Sequence, residues 1–227
     1  MTTQAAGPWV EEWLSPERFG TYLRLAGGSR SRALALHEWN TCVNAVLLYD
    51  FAHLEVGLRN MYNRALLGAH ARGDNHWTDT RSAALLFPNA TRTHTDLEKA
   101  RRAAGGPSAP PGKVMAELTF GFWVLMTSSR NAQLIWHPHL QQVFPAGSNW
   151  QQIHSGLDEL RNRVAHHEPV NRSEIYGSLR RMGRFTNYIS PELTSHLAST
   201  SQVQGLLAPR SRRPSSTISI SRRTYAS

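Results

Sequence analysis

The sequence predicts an all-α fold, for two reasons. Over most of its 227 residues, apolar side chains recur at spacings of three and four, which is the period of an amphipathic helix. The one ambiguous apolar run, residues 118–125, has no second strand-like run to pair with, so we interpret it as a buried helix. With 40% hydrophobic residues, the chain is long enough for one domain with a proper core. We therefore predict a helical bundle.

The N-terminal part of the chain is predicted to contain a short helix and a long one. Residues 1–14 are interpreted as an extension, and the first helix begins at Ser15, which serves as its cap, with Pro16 in the first turn. The longest apolar pattern covers residues 31–68 without a proline, so it predicts one long helix or two joined end to end. Its apolar positions are Leu36, Trp39, Val43, Val46 or Leu47, Phe51, Leu54, Leu58, Met61 and Leu66.

The middle of the chain is predicted to consist of short helices separated by loops. A Gly- and Pro-rich segment, residues 104–112, indicates a flexible break. Pro138 is expected to separate two short helical pieces. The predicted helical segments are residues 83–87, 96–103, 114–126, 134–136 and 140–144.

The clearest amphipathic helix comes next. Ser148 with Gln151 three residues on is typical of a capping box, and Pro169 predicts the end of the helix. Its apolar stripe consists of Trp150, Ile153, Leu157, Leu160 and Val164. A further helix is predicted to begin at Ser173-Glu174, and a last short one at Pro191. The helical domain is thus expected to cover residues 15–200.

Charge and composition exclude some classes of protein. The net charge is +9, and five of these charges are arginines of residues 205–227, which contain no acid. Residues 201–227 are predicted to be a disordered basic tail, which could attract nucleic acid in a strongly salt-dependent way. No apolar run is long enough to span a bilayer and no secretion signal is recognisable, so we expect a cytoplasmic protein without a membrane partner. The single cysteine, Cys42, is predicted to be a buried thiol.

Reactive side chains are concentrated at the end of the amphipathic helix. Arg161 and Asn162 lie in its last turns, and His166 and His167 follow shortly before Pro169. A histidine titrates near neutral pH and can act as general acid or base, whereas an arginine stays protonated and can bind phosphate. The plain alternative is a helix C-terminus at which basic residues are favoured by the helix dipole. His167 and Glu168 are adjacent, and adjacent side chains do not converge on one metal, so we predict no metal site. We predict no other cofactor.

Three segments together resemble a known family. They are Phe120-Gly121-Phe122-Trp123, the segment with Glu55, Arg59 and Asn60, and Arg161-Asn162-Arg163-Val164-Ala165-His166-His167-Glu168-Pro169. In their order along the chain they resemble the Abi-like (abortive infection) proteins of the HEPN ribonuclease superfamily, over residues 15–197. The resemblance implies a HEPN-like helical bundle with additional peripheral helices. It also implies a metal-independent endoribonuclease of phage defence or of a toxin–antitoxin pair, whose antitoxin is an RNA or a protein.

The same resemblance implies roles for residues. Arg161 would bind the phosphate of the RNA substrate, and His166 would transfer protons. Asn162 would orient the arginine, the phosphate or the histidine through its amide. His167, Glu55, Arg59 and Asn60 would support them. The family resemblance also implies a homodimer in which the two motifs face each other.

Other interpretations remain open at several of these positions. Glu55 and Arg59 are also spaced for an ordinary intrahelical ion pair. Phe120, Phe122 and Trp123 are expected in the core, with base stacking as the alternative. For the whole chain, the alternative function is a non-catalytic, all-α module that binds RNA or protein.

The spacing of the motif raises a geometric problem. On a straight helix five positions turn the chain so that Arg161 and His166 point about 140° apart. Either the helix breaks before His166, or two chains combine their residues at one site.

Overall fold

A computed structural model describes residues 7–69, 76–80, 82, 86–89, 91–165 and 172–208. Within these ranges all regular secondary structure is helical, so the predicted all-α fold is confirmed. The α-helices are α1 (Trp9–Leu14), α2 (Pro16–Leu25), α3 (Arg30–Ala69), α4 (Arg92–Ala103), α5 (Pro111–Ala116), α6 (Phe120–Leu125), α7 (Trp150–Ala165), α8 (Arg172–Ile189), α9 (Pro191–Thr200) and α10 (Val203–Leu207). None of the helices in the described ranges is long and apolar enough to cross a membrane.

The long helix α3 is the axis of the fold. It is one continuous helix of 40 residues, as the uninterrupted apolar pattern allows. It contacts α2, α6, α7, α8, α10 and the irregular helix that precedes α7. Its buried side chains recur every three or four residues and form one row in the main core: Val43, Leu47, Phe51, Leu54, Leu58 and Tyr62. The opposite side is exposed, and it carries Cys42, so the predicted burial of this thiol is wrong.

The N-terminal residues form a small packed unit of their own. Val10 of α1 is buried with Phe19 and Tyr22 of α2 and with Leu34 at the start of α3. Arg30 joins the unit by an ion pair with Glu11. The interpretation of residues 1–14 as an extension is therefore wrong for α1, which is part of the packed structure.

The predicted helix over residues 114–126 is divided into α5 and α6. Thr119 between them is extended, with φ −79° and ψ 162°. Leu118 and Phe120 are both buried, although residues two apart point about 160° away from each other on a continuous helix. The break lets both side chains reach the core.

The segment around Pro138 is one irregular helix and not two separated pieces. A 3₁₀ turn at Ser129–Asn131 leads into a π-helix, Ala132–Leu140, and a second 3₁₀ turn, Gln141–Val143. The N–H of Gln141 donates to the carbonyl of Trp136, five residues back, which is the bonding of a π-helix. Proline disrupts the four-residue bonding of an α-helix. Pro138 is therefore accommodated within a wider turn.

The C-terminal helices close the bundle over α3. α8 is followed directly by α9, whose cap is Ser190, and α9 by α10. Val203 and Leu207 of α10 are buried in the main core, and Trp39 Nε1 donates to the carbonyl of Leu206 at 3.1 Å. The predicted disorder from residue 201 is therefore wrong for α10. Residues 209–227, with the five tail arginines, lie outside the described ranges.

Candidate functional site

Helix α7 presents the motif as the sequence predicts. Its apolar stripe is buried at Ile153, Leu157 and Leu160, and Arg161 follows directly beside the stripe with 44% of its side chain exposed. The cap, however, is Asn149 and not Ser148, because the N–H of Gln152 donates to Asn149 Oδ1 at 2.9 Å. Helical backbone is described through Ala165. Arg161 and Asn162 are thus held on a well-packed helix near its C-terminal end.

Arg161 is part of a small polar network on α7. Arg161 Nη1 donates to Asn162 Oδ1 at 3.1 Å, and Asn162 Nδ2 donates in turn to Asp158 Oδ2 at 3.1 Å. Arg161 Nη1 also lies 3.7 Å from Asp158 Oδ1. The amide of Asn162 bridges the cation and the anion, so it restricts the rotamer of Arg161. The hydrogen bonds thus place the Asn162 amide between Arg161 and Asp158, while its role in orienting a substrate stays a prediction.

Asp158 belongs to this network, although it is not part of the predicted motif. It lies three residues before Arg161 and four before Asn162, so all three share one side of α7. The i,i+3 and i,i+4 spacings were the signal by which the sequence could have shown it. An ion pair this exposed contributes only about 0.2–1 kcal/mol to stability. The network therefore positions Arg161 more than it stabilises the fold.

Helix α6 packs antiparallel against α7 and forms one wall of the site. Near the start of α7, His154 Nδ1 lies 3.1 Å from the carbonyl of Val124, to which it can donate. At the other end, a Cβ built on Gly121 would lie 3.7 Å from Arg161 Nε. Two of the segments that carry the family resemblance, the one with Gly121 and the one with Arg161, therefore meet here. They lie forty residues apart in the sequence. A Cβ at position 121 would make ordinary van der Waals contact with Arg161, so the backbone of α6 lies directly against this side chain.

The aromatic residues of α6 belong to the core. Phe120, Phe122 and Trp123 are exposed by 6%, 1% and 0%. The ring of Trp123 meets Phe122 edge to face at 5.1 Å between centroids, and Phe120 meets Phe51 of α3 at 4.4 Å. The core interpretation is confirmed, and side chains this buried cannot stack on RNA bases without unfolding of the site.

The predicted supporting residues on α3 have different environments. Glu55 is half-buried, and burial raises its pKa, an effect that the charge of Arg59 offsets in part. Asn60 is exposed. Glu55 lies one turn after Phe51, whose ring packs on Phe120, so it shares the side of α3 that faces α6. Helix α6 therefore packs on one side against α3, one turn before Glu55, and on the other side against α7 at Arg161.

The proton-transfer residues of the predicted motif are not among those that the structure describes. His166 and His167 lie outside the described ranges, and so do the side chains of residues 163–165. The structure brings Arg161 together with Asn162 and places Arg161 beside Gly121, while the relation of His166 to Arg161 stays a prediction. Among the described residues, no group of three or more His, Cys, Asp or Glu side chains could hold a metal ion.

Comparisons with known proteins add no relative. No protein-family profile matches the chain, and no curated protein or solved structure matches it. The fold and the site therefore define the chain only as an all-α protein with an arginine–asparagine–aspartate network on the amphipathic helix α7.

Proposed function

We propose that this protein is a metal-independent endoribonuclease of the HEPN type. The observation that best supports the proposal is the arrangement of Arg161, whose guanidinium is exposed, is oriented through Asn162 and Asp158 and lies against α6 at Gly121. A permanent cation held in one direction and exposed to solvent is suited to bind a phosphodiester. A helix C-terminus with merely tolerated basic residues would not require the bridging amide.

The proposed reaction is an attack of the ribose 2′-hydroxyl on the adjacent phosphorus. The 2′ oxygen loses its proton to a general base and forms a bond to phosphorus, while the bond from phosphorus to the 5′ oxygen breaks. The leaving 5′ oxygen takes up a proton from a general acid. The products are a 2′,3′-cyclic phosphate and a 5′-hydroxyl end, so atoms and charges balance without a metal.

The residues divide this work by their chemistry. His166 is assigned one of the two proton transfers, because an imidazole exchanges protons at neutral pH. Arg161 stabilises the charge that develops on the non-bridging oxygens. Asp158 is assigned a positioning role, since its two oxygens hold Asn162 and attract Arg161. His167, Glu55, Arg59 and Asn60 are proposed to support the site.

A second copy of the chain is proposed to complete the site. Tyr49 and Val56 are 55% and 46% exposed, and the exposed Ala45 and Ala52 lie on the same side of α3, one turn before Tyr49 and between Tyr49 and Val56 respectively. Spacings of four, three and four residues are those at which one helix packs along another. This surface, residues 45, 49, 52 and 56, is the proposed dimer interface. The family resemblance implies that the two motifs of a dimer face each other, and a second chain so placed would supply the histidine that the spacing within one helix directs away from Arg161.

The interface can be tested without measuring activity. Val56→Arg should convert the dimer to a monomer, measured as mass by light scattering after gel filtration. Leu25→Arg is the matched control, because Leu25 is 64% exposed but lies on α2, away from this surface. A wild-type mass equal to that of one chain would contradict the dimer, and so would an unchanged mass in Val56→Arg.

The reaction is tested with purified protein and labelled RNA. Wild type should produce ends that carry a 2′,3′-cyclic phosphate in the presence of a metal chelator, and Arg161→Ala and His166→Ala should produce none above background. Arg102→Ala is the matched control, because Arg102 is also exposed and also lies in the last turn of a helix. Equal cleavage by all four proteins would overturn the proposal. Retarded but intact RNA would indicate a binding module and no enzyme.

The proposed setting follows from the activity. A ribonuclease free in the cytoplasm would harm its own cell, so we propose control by an antitoxin, either RNA or protein, in phage defence or in a toxin–antitoxin pair. Induction of wild type should stop growth, and induction of His166→Ala should not. Equal growth of both strains at equal protein levels would contradict this setting.

A further inference from the structure

A cavity between α3, α8, α9 and the start of α10 is separate from the proposed catalytic site. Its volume is about 230 Å³. An apolar cavity of about 150 Å³ can hold benzene, so this one is large enough for a small organic molecule. It is lined by Asp50, Leu179, Met182, Gly183, Thr186, Thr194, Leu197, Ala198, Ser201 and Gln204.

Most of the wall is apolar. Met182 and Leu197 are exposed by only 4% and 8%, and Leu179 and Ala198 lie beside them. A Cβ built on Gly183 would meet no atom within 4 Å, so this glycine adds to the open space. The hydroxyls of Thr186 and Thr194 are hydrogen-bonded to each other at 2.9 Å. A ligand here would have a short apolar body.

Asp50 gives the cavity its one acidic group. The residue is only 2% exposed, and its Oδ2 accepts a hydrogen bond from Ser201 Oγ at 2.5 Å. Its Oδ1 is buried and has no hydrogen-bond partner among the described residues. A buried acceptor without a partner destabilises the folded chain, because it has lost its hydrogen bonds to water. Burial raises the pKa of Asp50, and the hydrogen bond from Ser201 and the nearby charge of His53 lower it only in part.

We propose that this cavity binds a small organic amine, whose ammonium group donates a hydrogen bond to Asp50 Oδ1 and whose apolar body lies between Met182, Leu197 and Leu179. An ammonium group supplies both the missing donor and a compensating charge, whereas a neutral alcohol or amide supplies the donor alone. The surrounding hydroxyls of Ser201, Thr186 and Thr194 provide further acceptors. The site takes one class of ligand, a primary amine of about the size of benzylamine or isoamylamine.

The proposed amine site does not depend on the proposed ribonuclease activity. Asp50 faces α8 and α9, and its neighbour Phe51 faces α6, so the cavity and Arg161 lie against different sides of α3. Failure of one proposal would therefore leave the other unaffected.

The experiment compares charged and neutral probes of equal shape on the full chain. Benzylamine and isoamylamine are titrated by calorimetry beside benzyl alcohol and isoamyl alcohol. Wild type should bind each amine at least tenfold more tightly than its alcohol, and Asp50→Asn should bind the amines at least tenfold more weakly than wild type does. Asp96→Asn is the matched control, because Asp96 lies on α4, and it should bind as wild type does.

A second variant keeps the test valid if Asp50→Asn folds poorly. Gly183→Leu leaves residue 50 as Asp and fills the open space beside Gly183, so it should abolish amine binding. Circular dichroism should show an unchanged helical content. Three results would overturn the proposal: no saturable binding to wild type, equal binding of amine and alcohol, or unchanged amine binding to Gly183→Leu.

Discussion

Gly156 determines how closely α7 can approach α8, and its substitution tests that packing quantitatively. A Cβ at this position would lie 2.9 Å from Cζ and 3.0 Å from Cε2 of Phe185. Carbon atoms prefer separations of about 3.5–4.0 Å, so the ring would have to move by about half an ångström or more. Phe185 is 1% exposed and packs edge to face on Tyr188 at 5.9 Å between centroids, so it has little room to move.

The expected change in stability follows from two opposing effects. Overpacking a well-packed core costs about 1–3 kcal/mol, whereas alanine in place of glycine within a helix gains about 1 kcal/mol. Gly156→Ala should therefore lower the free energy of unfolding by about 1 kcal/mol. Gly20→Ala is the matched control within α2, because its Cβ would meet only the flexible guanidinium of Arg24 at 3.8 Å. The control should raise stability by about 0.5–1 kcal/mol.

The assay is urea unfolding followed by tryptophan fluorescence, with and without a second substitution at Phe185. In a Phe185→Leu background the obstructing ring is absent, so Gly156→Ala should become neutral or stabilising. If Gly156→Ala stabilises the wild-type chain as much as Gly20→Ala does, the close approach of α7 to α8 is wrong. The same result would undermine the placement of Arg161, which depends on the position of α7.

Three further predictions concern individual side chains. Burial lowers the pKa of His37, helped by the charge of Arg18 and opposed by Glu38, so the folded chain binds fewer protons there than the unfolded chain. The stability that neutral His37 contributes is complete above the ordinary histidine pKa of 6.5 and is lost as the pH falls below that value. The free energy of unfolding, measured with urea, should therefore fall from pH 7 to pH 5. His37→Phe should make this fall smaller. Asp158→Asn should slow RNA cleavage about tenfold, less than Arg161→Ala does, because it disturbs only the positioning of the cation; a loss equal to that of Arg161→Ala in single-turnover assays would contradict the positioning role. Cys42 should react with a maleimide in the native Val56→Arg variant about as fast as in denatured protein; protection in the monomer would show that the thiol is buried.

The sequence alone predicted most of the helices, because an apolar stripe with the helical period is a local property of the chain. The patterns over residues 31–68 and 150–164 correspond closely to α3 and α7. Local chemistry also explains the caps at Ser15 and Ser190, whose hydroxyls accept from nearby N–H groups. The same local patterns identified Arg161 and Asn162 at the end of a packed helix, whereas His166 and His167 remain predictions outside the described ranges.

Tertiary packing decided which sides of the helices are buried and which distant segments are in contact, and the spacing of apolar residues along the chain does not contain this information. The pattern identifies one apolar stripe on α3 but not which sides neighbouring helices cover, so it placed Cys42 inside when it is exposed. It did not separate α5 from α6, because the break at Thr119 arises from the need to bury both Leu118 and Phe120. The approach of Gly121 to Arg161 and the enclosure of Asp50 by α8 and α9 are contacts between distant segments. Such contacts depend on how whole helices pack, and only the folded chain determines them.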